Sequence, residues 1–287
     1  MKYWIIILNL LSIVYVQTFP PIEQLIEQSR KLFTVHNTLE PLFYQEKIHI
    51  DSLAMPNRDK KDLKNWLQKE KKYIQNQQDS IAPGVVIEFL NEKICDYLDV
   101  IIRHPNFFEY NISEEIGIEE LNIIISDDQR LINFSFDEKT GGSYQSRISR
   151  LYLFDKEIDK IIDISEMPFV YPDGYKKISI LKSEHGVKYV LESSVKTCNQ
   201  CFTTFVQLIN SNLKEVFAYS SMHRNLNDGA FYNPKTQTIQ VHYQTDDLTP
   251  NCNCENNTDT QQNAILTCNC TFVFNGYTFE RTFLSRR

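Results

Sequence analysis

The segment FVFNGYTF, residues 272–279, predicts an antiparallel hairpin more clearly than any other part of the chain. Asn275-Gly276 is a preferred pair for a two-residue type I′ turn, because both central positions of that turn take positive φ. Closing the turn there gives two aromatic cross-strand pairs, Phe274 with Tyr277 and Phe272 with Phe279. Such pairs stabilise a hairpin by about 0.2–1 kcal/mol each. The end of the chain is therefore expected to lie in an antiparallel sheet.

Six of the seven cysteines lie in the C-terminal half of the chain: Cys198, Cys201, Cys252, Cys254, Cys268 and Cys270. Residues that face one another in an antiparallel ladder have numbers with a constant sum, so one register pairs Cys252 with Cys270 and Cys254 with Cys268. Positions two apart also point to the same face of a sheet. The predicted disulfides are Cys252–Cys270 and Cys254–Cys268, which close a loop from Glu255 to Leu266, and a local bridge Cys198–Cys201.

Two other interpretations of these cysteines stay open. A structural zinc site could use the C-x-x-C and C-x-C pairs, although C-x-C binds one metal ion more awkwardly than C-x-x-C does. A thioredoxin-like redox role for Cys198 and Cys201 would need a strand that leads into a helix N-terminus. The residues after Cys201 look like a strand instead. The seventh cysteine, Cys95, is expected to be a buried free thiol.

Residues 106–287 have the pattern of an antiparallel β-domain, either a sandwich or a partial propeller. Short runs of β-branched and aromatic residues alternate with turn signals. The segment Tyr171-Pro172-Asp173-Gly174 is a strong turn, because Pro presets φ and Gly accepts positive φ. Strands are predicted at residues 121–126, 131–136, 144–154, 168–171, 177–182 and 187–192.

Residues 19–105 are predicted to be helical, packed on the β-domain or preceding it. Apolar residues recur at helical spacing from Pro21 to Phe33, from Asn57 to about Gln77, and from Pro83 to Arg103. The second helix is rich in lysine, but acidic residues interleave, so a solvated surface is the better interpretation than a binding face. Together the two regions predict an α+β fold.

Residues 1–18 are predicted to be a secretory signal peptide. Lys2 precedes an apolar run that reaches Val16, which is shorter than the roughly 20 residues that a membrane span needs. An uncleaved N-terminal anchor is the alternative. Export to the periplasm or the cell exterior would place the cysteines where disulfides persist. No later stretch approaches the length of a membrane span.

The segment IIISDDQRLINFSFDEKTGGS, residues 123–143, resembles a box found in uncharacterised exported proteins of Bacteroidetes. That box has the form TS-x-D-G-x-x-R-I-Y-S-W-D-x-x-TGG-T, and the terminal hairpin resembles the same family. Gln129 stands where the box has Gly, and Phe136 stands where it has Trp. The resemblance implies export and a β-rich body, and it implies no activity. The matching residues are Ser126, Asp127, Asp128, Ser135, Asp137, Thr140, Gly141 and Gly142.

The sequence predicts no catalytic, cofactor-binding or metal-binding residues. The formal net charge of −7 disfavours nucleic acid, which is bound by clustered Lys and Arg. The pairs Asp127-Asp128 and Asp246-Asp247 could act as acid/base groups or calcium ligands, but acids in turns are more often solvated turn formers. Asn225, Asn227, Asp228 and Gly229 suggest a calcium loop, yet their spacing does not fit the EF-hand pattern.

Three hypotheses about function follow. The first is a non-enzymatic envelope or secreted binding protein with a protein or glycan partner, suggested by strands stiffened by disulfides. The second is a secreted inhibitor or immunity protein that holds a partner enzyme with the loop Glu255–Leu266. The third is a hydrolase whose carboxylates are scattered along the sequence and form no recognisable motif.

Overall fold

The computed structural model describes residues 19–40, 47–69, 80–141, 145–198, 201–225, 227–245, 252–256 and 266–282, with the side chains of residues 245 and 253–256 excepted. The predicted signal peptide, the end of the predicted second helix, Asp246-Asp247 and most of the loop Glu255–Leu266 lie outside these residues. Within the described ranges, no helix is both long enough and apolar enough to cross a membrane.

The N-terminal part of the chain forms helices, as predicted. Pro83 begins α3, a position where its missing N–H carries no penalty, and Gly117 ends α4 with a φ of 70°. Two short 3-10 helices also occur, Ile50–Ser52 and Phe107–Glu109. The α-helices are α1 (Ile22–Thr38), α2 (Asn57–Lys69), α3 (Pro83–Ile102) and α4 (Ile112–Ile116).

The remainder is almost entirely antiparallel strands. They are β1 (Ile48–His49), β2 (Ser80–Ile81), β3 (Asn122–Ile125), β4 (Leu131–Asp137), β5 (Arg147–Asp155), β6 (Lys160–Asp163), β7 (Lys177–Ser183), β8 (Gly186–Cys198), β9 (Cys201–Asn210), β10 (Glu215–His223), β11 (Gly229–Asn233), β12 (Thr238–Thr245), β13 (Asn253–Asn256), β14 (Leu266–Phe274) and β15 (Phe279–Thr282).

Three large sheets follow one another along the chain. Sheet I has the order β3-β4-β5-β6, and sheet II has the order β7-β8-β9-β10, so both are simple meanders. Sheet III has the order β11-β12-β14-β13, with β15 also paired to β14. The short strands β1 and β2 pair with each other among the helices.

The helices pack on one face of sheet I. Phe33 of α1 and Leu90 of α3 belong to the same buried cluster as Phe134 and Tyr152 of the sheet. The helical region is thus packed on the β-domain rather than only preceding it, and the two regions share one core.

The three sheets are stacked face to face. The second face of sheet I packs on sheet II, where Leu131 and Tyr189 share one buried cluster. The second face of sheet II packs on sheet III, where Leu208 and Ile239 share another. Because both faces of β4 are covered, its residues 131–136 are buried without a break. The fold is α+β with antiparallel sheets, as predicted, and the sheets form a layered stack.

Side chains of sheet II cap the edge of sheet III. The backbone N–H of Ala230 donates to Thr204 Oγ1 at 3.0 Å, and that of Tyr232 donates to Glu192 Oε1 at 2.9 Å. An edge strand with unpaired N–H groups is a template for pairing with another chain. Capping satisfies two such groups on β11 and explains why Glu192, which also pairs with Lys177 at 3.5 Å, is buried between the sheets.

The terminal hairpin forms, but its predicted register is wrong. Phe274 pairs with Phe279, so a longer connection replaces the two-residue turn at Asn275-Gly276. The Asn275 side chain accepts the backbone N–H groups of Tyr277 and Thr278, both at 2.9 Å, and this local bonding stabilises the longer connection. A shift of two residues keeps each side chain on its predicted face. Phe279 is accordingly buried. Phe272 is buried as well, and it pairs with Arg281 instead of Phe279.

The predicted strand at residues 168–171 is also wrong. The backbone N–H of Val170 bonds the carbonyl of Met167 at 2.9 Å, and that of Tyr171 bonds the Tyr175 hydroxyl at 2.8 Å. Both backbone N–H groups therefore bond to groups within the same segment and do not take part in the hydrogen bonds of a β-sheet. The turn that follows is confirmed, because the Gly174 N–H bonds the Tyr171 carbonyl at 3.2 Å and Gly174 has a φ of 81°.

Two of the predicted disulfides, Cys198–Cys201 and Cys252–Cys270, are present. These four sulfurs are therefore not free to bind zinc. The backbone register places Cys254 opposite Cys268, as predicted, and Cys268 is disulfide-bonded. The Cys254 side chain is outside the described residues, so its bridge to Cys268 stays a prediction.

The disulfide Cys198–Cys201 closes the tip of the β8–β9 hairpin. The redox interpretation needed a helix N-terminus at this place, and the structure has two strands instead. Cys95 is a buried free thiol, and burial raises its pKa to about 12. A thiol with so high a pKa stays protonated and is a poor nucleophile.

Candidate functional site

Hairpin turns from all three sheets meet at one end of the stack, and we call this end the turn face. Antiparallel meanders place alternate turns at the same end of each sheet, and contacts between the sheets align these ends. The turn face comprises residues 126–130, 156–159, 184–185, 211–214, 234–237 and 275–278.

The turns of sheet I are tied to each other and to sheet II. The Tyr189 hydroxyl on β8 donates to Asp128 Oδ2 at 2.7 Å. Lys156 Nζ, in the β5–β6 turn, donates to the Asp128 carbonyl at 2.9 Å. The β3–β4 turn is therefore held from two sides at Asp128.

The turns of sheets II and III are also in contact. The His185 ring stacks on the Tyr277 ring, with 3.6 Å between the ring centroids. Thr278 Oγ1 donates to the Val216 carbonyl at 3.0 Å. Tyr277 is nevertheless 60% exposed, which makes it the most exposed large hydrophobic side chain among the described residues.

Two clefts open on the turn face, on either side of the segment from Asp128 to Arg130. The first cleft has a volume of about 410 Å³ and the second of about 390 Å³. Both volumes lie in the range of about 300–1,000 Å³ that is typical of small-molecule sites. The first cleft is lined by Asp127, Asp128, Ile180, Lys182 and Gln237, and the second by Arg130, Asp155, Lys156 and Glu157.

The two predicted acids of the β3–β4 turn have different roles. Asp128 accepts hydrogen bonds from Ser126 Oγ at 2.7 Å and from the Arg130 N–H at 3.1 Å, besides that of Tyr189. Burial alone would raise the pKa of Asp128, but these hydrogen bonds outweigh it and hold the pKa below its ordinary value. Asp128 is thus a charged anchor of the turn, and Asp127 is the exposed acid that faces the first cleft.

Left-handed backbone conformations concentrate on the turn face. Four of the five described non-glycine residues with positive φ lie in its turns: Gln129, Asp159, Leu213 and Gln237. Such conformations cost roughly 1–3 kcal/mol each and cluster at functional sites. The turns that surround the clefts are therefore held in specific conformations by the structure around them.

Gln129 provides a direct test of this backbone strain. It has a φ of 58° at the position where the Bacteroidetes box has Gly. We expect Gln129→Gly to raise the free energy of unfolding by up to about 1 kcal/mol, and Gln129→Val to lower it by about 1–2 kcal/mol. Urea unfolding of the three proteins measures both changes. A Gly variant less stable than the Val variant would contradict the assignment.

His223 is the most unusual histidine, but it does not form an accessible site. Its Nδ1 lies 2.7 Å from the Asn225 carbonyl and donates to it, which leaves Nε2 buried with no hydrogen-bond partner. A Cβ added at Gly229 would lie 2.8 Å from this Nε2. Nε2 therefore lies buried close to the Gly229 backbone, where a ligand has no room.

The polar residues from Asn225 to Asp228, whose spacing does not fit an EF-hand, are used by the fold. Asp228 Oδ2 accepts the Gln244 N–H at 3.3 Å, and the Asn225 carbonyl accepts from His223. Both oxygens serve the fold at the edge of sheet III. Across the described ranges, no group of three or more His, Cys, Asp and Glu side chains is placed to hold a metal ion.

Two buried histidines predict acid sensitivity. Burial, with nearby lysines, lowers the pKa of both His36 and His223 below the ordinary value of about 6.5. The unfolded chain then binds more protons than the folded one as the pH falls through about 6.5, so the free energy of unfolding should decrease from pH 7.5 to 5.5. Urea unfolding at several pH values measures this slope.

The variant His223→Asn should flatten that slope, because Asn can keep the donation to the Asn225 carbonyl but does not titrate. His242→Asn is the matched control, since His242 is exposed and bonded to Asn269 at 2.7 Å. An equal slope in wild type and His223→Asn would show that His223 does not contribute.

A third cleft, of about 240 Å³, lies between α3 and β5, but its polar groups are used by the fold. Asn91 Oδ1 lies 3.0 Å from His36 Nε2, and Asn91 Nδ2 donates to the Glu138 carbonyl at 3.0 Å. Glu92 accepts from Trp66 Nε1 at 2.8 Å. The hydrogen bonds around this cleft connect α3 to α1 and to the end of sheet I. The cleft is therefore a weaker candidate for a binding site than the turn face.

Sequence reasoning considered Asp127 and Asp128 but interpreted them as solvated turn formers, and it did not place Lys182, Gln237 and Tyr277 on the same surface. Gly and Asn residues predict the turns near these side chains, but the sequence does not show that the turns lie together, because that depends on how the sheets stack. Comparison with known proteins adds no further assignment, because no family model, curated protein or solved structure matches the chain.

Proposed function

We propose that the chain is an exported, non-enzymatic binding protein that holds its partner on the turn face. The observation that carries this proposal is the convergence of the three sheets on the turn face, where residues of all three line the first cleft. Loops positioned by a rigid scaffold are where binding residues concentrate. The β-rich body and its disulfides are compatible with export.

The chemistry of the turn face favours recognition over catalysis. Its charged groups, such as Asp127, Lys156 and Lys182, are exposed. Catalytic acids and bases are usually tuned by burial or by a close charged partner. The one such group here, Asp128, uses its carboxylate oxygens to hold the turn.

A double variant of the first cleft tests the proposal. The protein is taken from the compartment to which its host delivers it, and N-terminal sequencing shows whether Met1 is retained. Wild type, Asp127→Ala/Lys182→Ala and the control Glu114→Ala/Lys61→Ala are immobilised and exposed to native secreted and cell-surface fractions. Glu114 and Lys61 are exposed and lie on the helices α4 and α2, outside the turn face.

We expect wild type and the control to retain the same component, and the cleft variant to retain at least tenfold less of it. Equal retention by all three proteins would contradict a binding role of the turn face. A native protein that starts at Met1 with reduced thiols would contradict export.

A further inference from the structure

We infer that the first cleft of the turn face binds a short, neutral oligosaccharide, with the exposed ring of Tyr277 as a stacking surface beside it. This inference rests on the proposed function, because it names the ligand class for the same surface. It follows from the shape of the cleft, the mixture of its polar groups and the placement of its apolar side chains.

The shape of the cleft favours a small ligand. Its volume of about 410 Å³ lies between the β3–β4 turn of sheet I, strand β7 of sheet II and the β11–β12 turn of sheet III. Protein partners usually occupy broad surfaces with a hydrophobic core and a polar rim. Pockets for small molecules instead combine apolar surface with a few placed polar groups, as this cleft does.

The polar groups of the cleft suit hydroxyl groups better than a charged ligand. The Asp127 carboxylate only accepts hydrogen bonds, the Lys182 ammonium only donates them, and the Gln237 amide does both. A hydroxyl group donates and accepts, so neighbouring hydroxyls on a sugar ring match all three. A phosphate or carboxylate ligand would face Asp127 and Asp128, and an ammonium ligand would face Lys182.

Apolar surface lies in and beside the cleft. Ile180 lines it, and the Gln237 carbonyl accepts the Phe274 N–H at 3.1 Å, which places the β11–β12 turn next to the hairpin that carries Tyr277. The His185 ring supports Tyr277 from one side at 3.6 Å between centroids. The C–H face of a sugar ring can pack on such an exposed, supported aromatic ring.

Two parts of the cleft wall are held by the fold before a ligand binds. Asp128 is held by Ser126, Tyr189 and the Arg130 N–H. Gln237 has a left-handed backbone with a φ of 50°. Preorganised walls reduce the entropy that a flexible site would lose on binding, which matters for a ligand with few contacts.

The test uses the secreted, disulfide-bonded protein and a panel of defined probes. The panel holds neutral oligosaccharides of two to four sugar units, built from glucose, mannose, galactose or N-acetylglucosamine. Sulfated and sialylated oligosaccharides and a mixed-charge peptide library are the comparison sets. Titration calorimetry measures binding to wild type, Tyr277→Ala, Asp127→Asn and the control Tyr110→Ala, an aromatic change next to α4.

We expect at least one neutral oligosaccharide to bind, and both cleft variants to weaken that binding at least tenfold while Tyr110→Ala leaves it unchanged. Binding of anionic oligosaccharides or peptides alone would overturn the inference, as would neutral binding that the cleft variants do not affect. If no probe binds but Asp127→Ala/Lys182→Ala still loses the native partner, the ligand class is wrong and the proposed function remains. If that variant also keeps the native partner, both the ligand class and the proposed function are wrong.

Discussion

Gly229→Ala is expected to lower the free energy of unfolding by about 4 kcal/mol, because an added Cβ meets its closest neighbours here among the described glycines. Gly229 begins β11 with a φ of 118°, and a left-handed backbone costs an L-residue about 1–2 kcal/mol. An added Cβ would also overlap the side chain of Thr204 and lie 2.8 Å from His223 Nε2. Overpacking of this kind costs about 1–3 kcal/mol more.

Thr204 cannot move aside without further loss. Its hydroxyl accepts the Ala230 N–H at 3.0 Å and lies 3.0 Å from the Ser221 hydroxyl. Both bonds are buried between sheets II and III, so rotating Thr204 would leave the cap of the β11 edge unmade. An unsatisfied buried donor costs about 1–3 kcal/mol by itself.

Two other glycines separate the causes of the Gly229 effect. Gly186 has a φ of 93° and no atom within 4 Å of an added Cβ, so Gly186→Ala should cost only the backbone strain, about 1–2 kcal/mol. Gly84 is the second residue of α3 and lies in open space without positive φ, so Gly84→Ala should raise the free energy of unfolding by up to about 1 kcal/mol. Urea unfolding gives all three values. A cost at Gly229 no larger than that at Gly186 would contradict the tight packing.

Local patterns predicted the elements because their causes are local. The apolar spacing of α1 and α3, the Pro at the start of α3 and the turn ending at Gly174 are all set by nearby residues. The cysteine register was predictable for a different reason. Only one antiparallel register pairs Cys252 with Cys270 and Cys254 with Cys268 at the same time, and the backbone has that register.

The errors arose where a side chain competed with the backbone pattern. Asn275-Gly276 favours a two-residue turn, but the Asn275 side chain instead bonds the N–H groups of Tyr277 and Thr278. At residues 168–171 the apolar pattern suggested a strand, although the Tyr175 hydroxyl takes the N–H of Tyr171. Neither bond is visible in hydrophobic periodicity.

The candidate site was less predictable than the fold. Asp127 and Gln237 are far apart in the sequence and meet because sheet II stands between sheets I and III. Stacking order depends on which face of each strand is apolar along its whole length. In β4 and β8 consecutive residues are buried on both faces of the strand. The alternation of polar and apolar residues therefore does not indicate which face of these strands packs on which sheet.

The predicted Cys254–Cys268 bridge lies inside the loop that Cys252–Cys270 closes and would keep most of that loop closed. The test therefore replaces Cys252, Cys254, Cys268 and Cys270 together by Ser, and we expect this variant, which opens the loop of the outer Cys252–Cys270 bridge, to lower the free energy of unfolding by about 3 kcal/mol. The outer bridge joins residues with a sequence separation of 18, and a cross-link restricts the unfolded chain more as its loop lengthens. It also holds the start of β13 against β14, the central strand of sheet III. Urea unfolding without reductant measures the loss.

Cys198→Ser/Cys201→Ser is the matched comparison, because that bridge has a sequence separation of only 3 and closes a hairpin tip that the β8–β9 ladder already holds. The chain-entropy relation gives about 2 kcal/mol for so short a loop. Both bridges lie away from the turn face, so both variants should keep wild-type binding to whatever the first cleft holds. An equal loss of stability in the two variants would show that the Cys252–Cys270 bridge does not act through the length of its loop. Loss of binding in either variant would show that the turn face depends on covalent ties outside it.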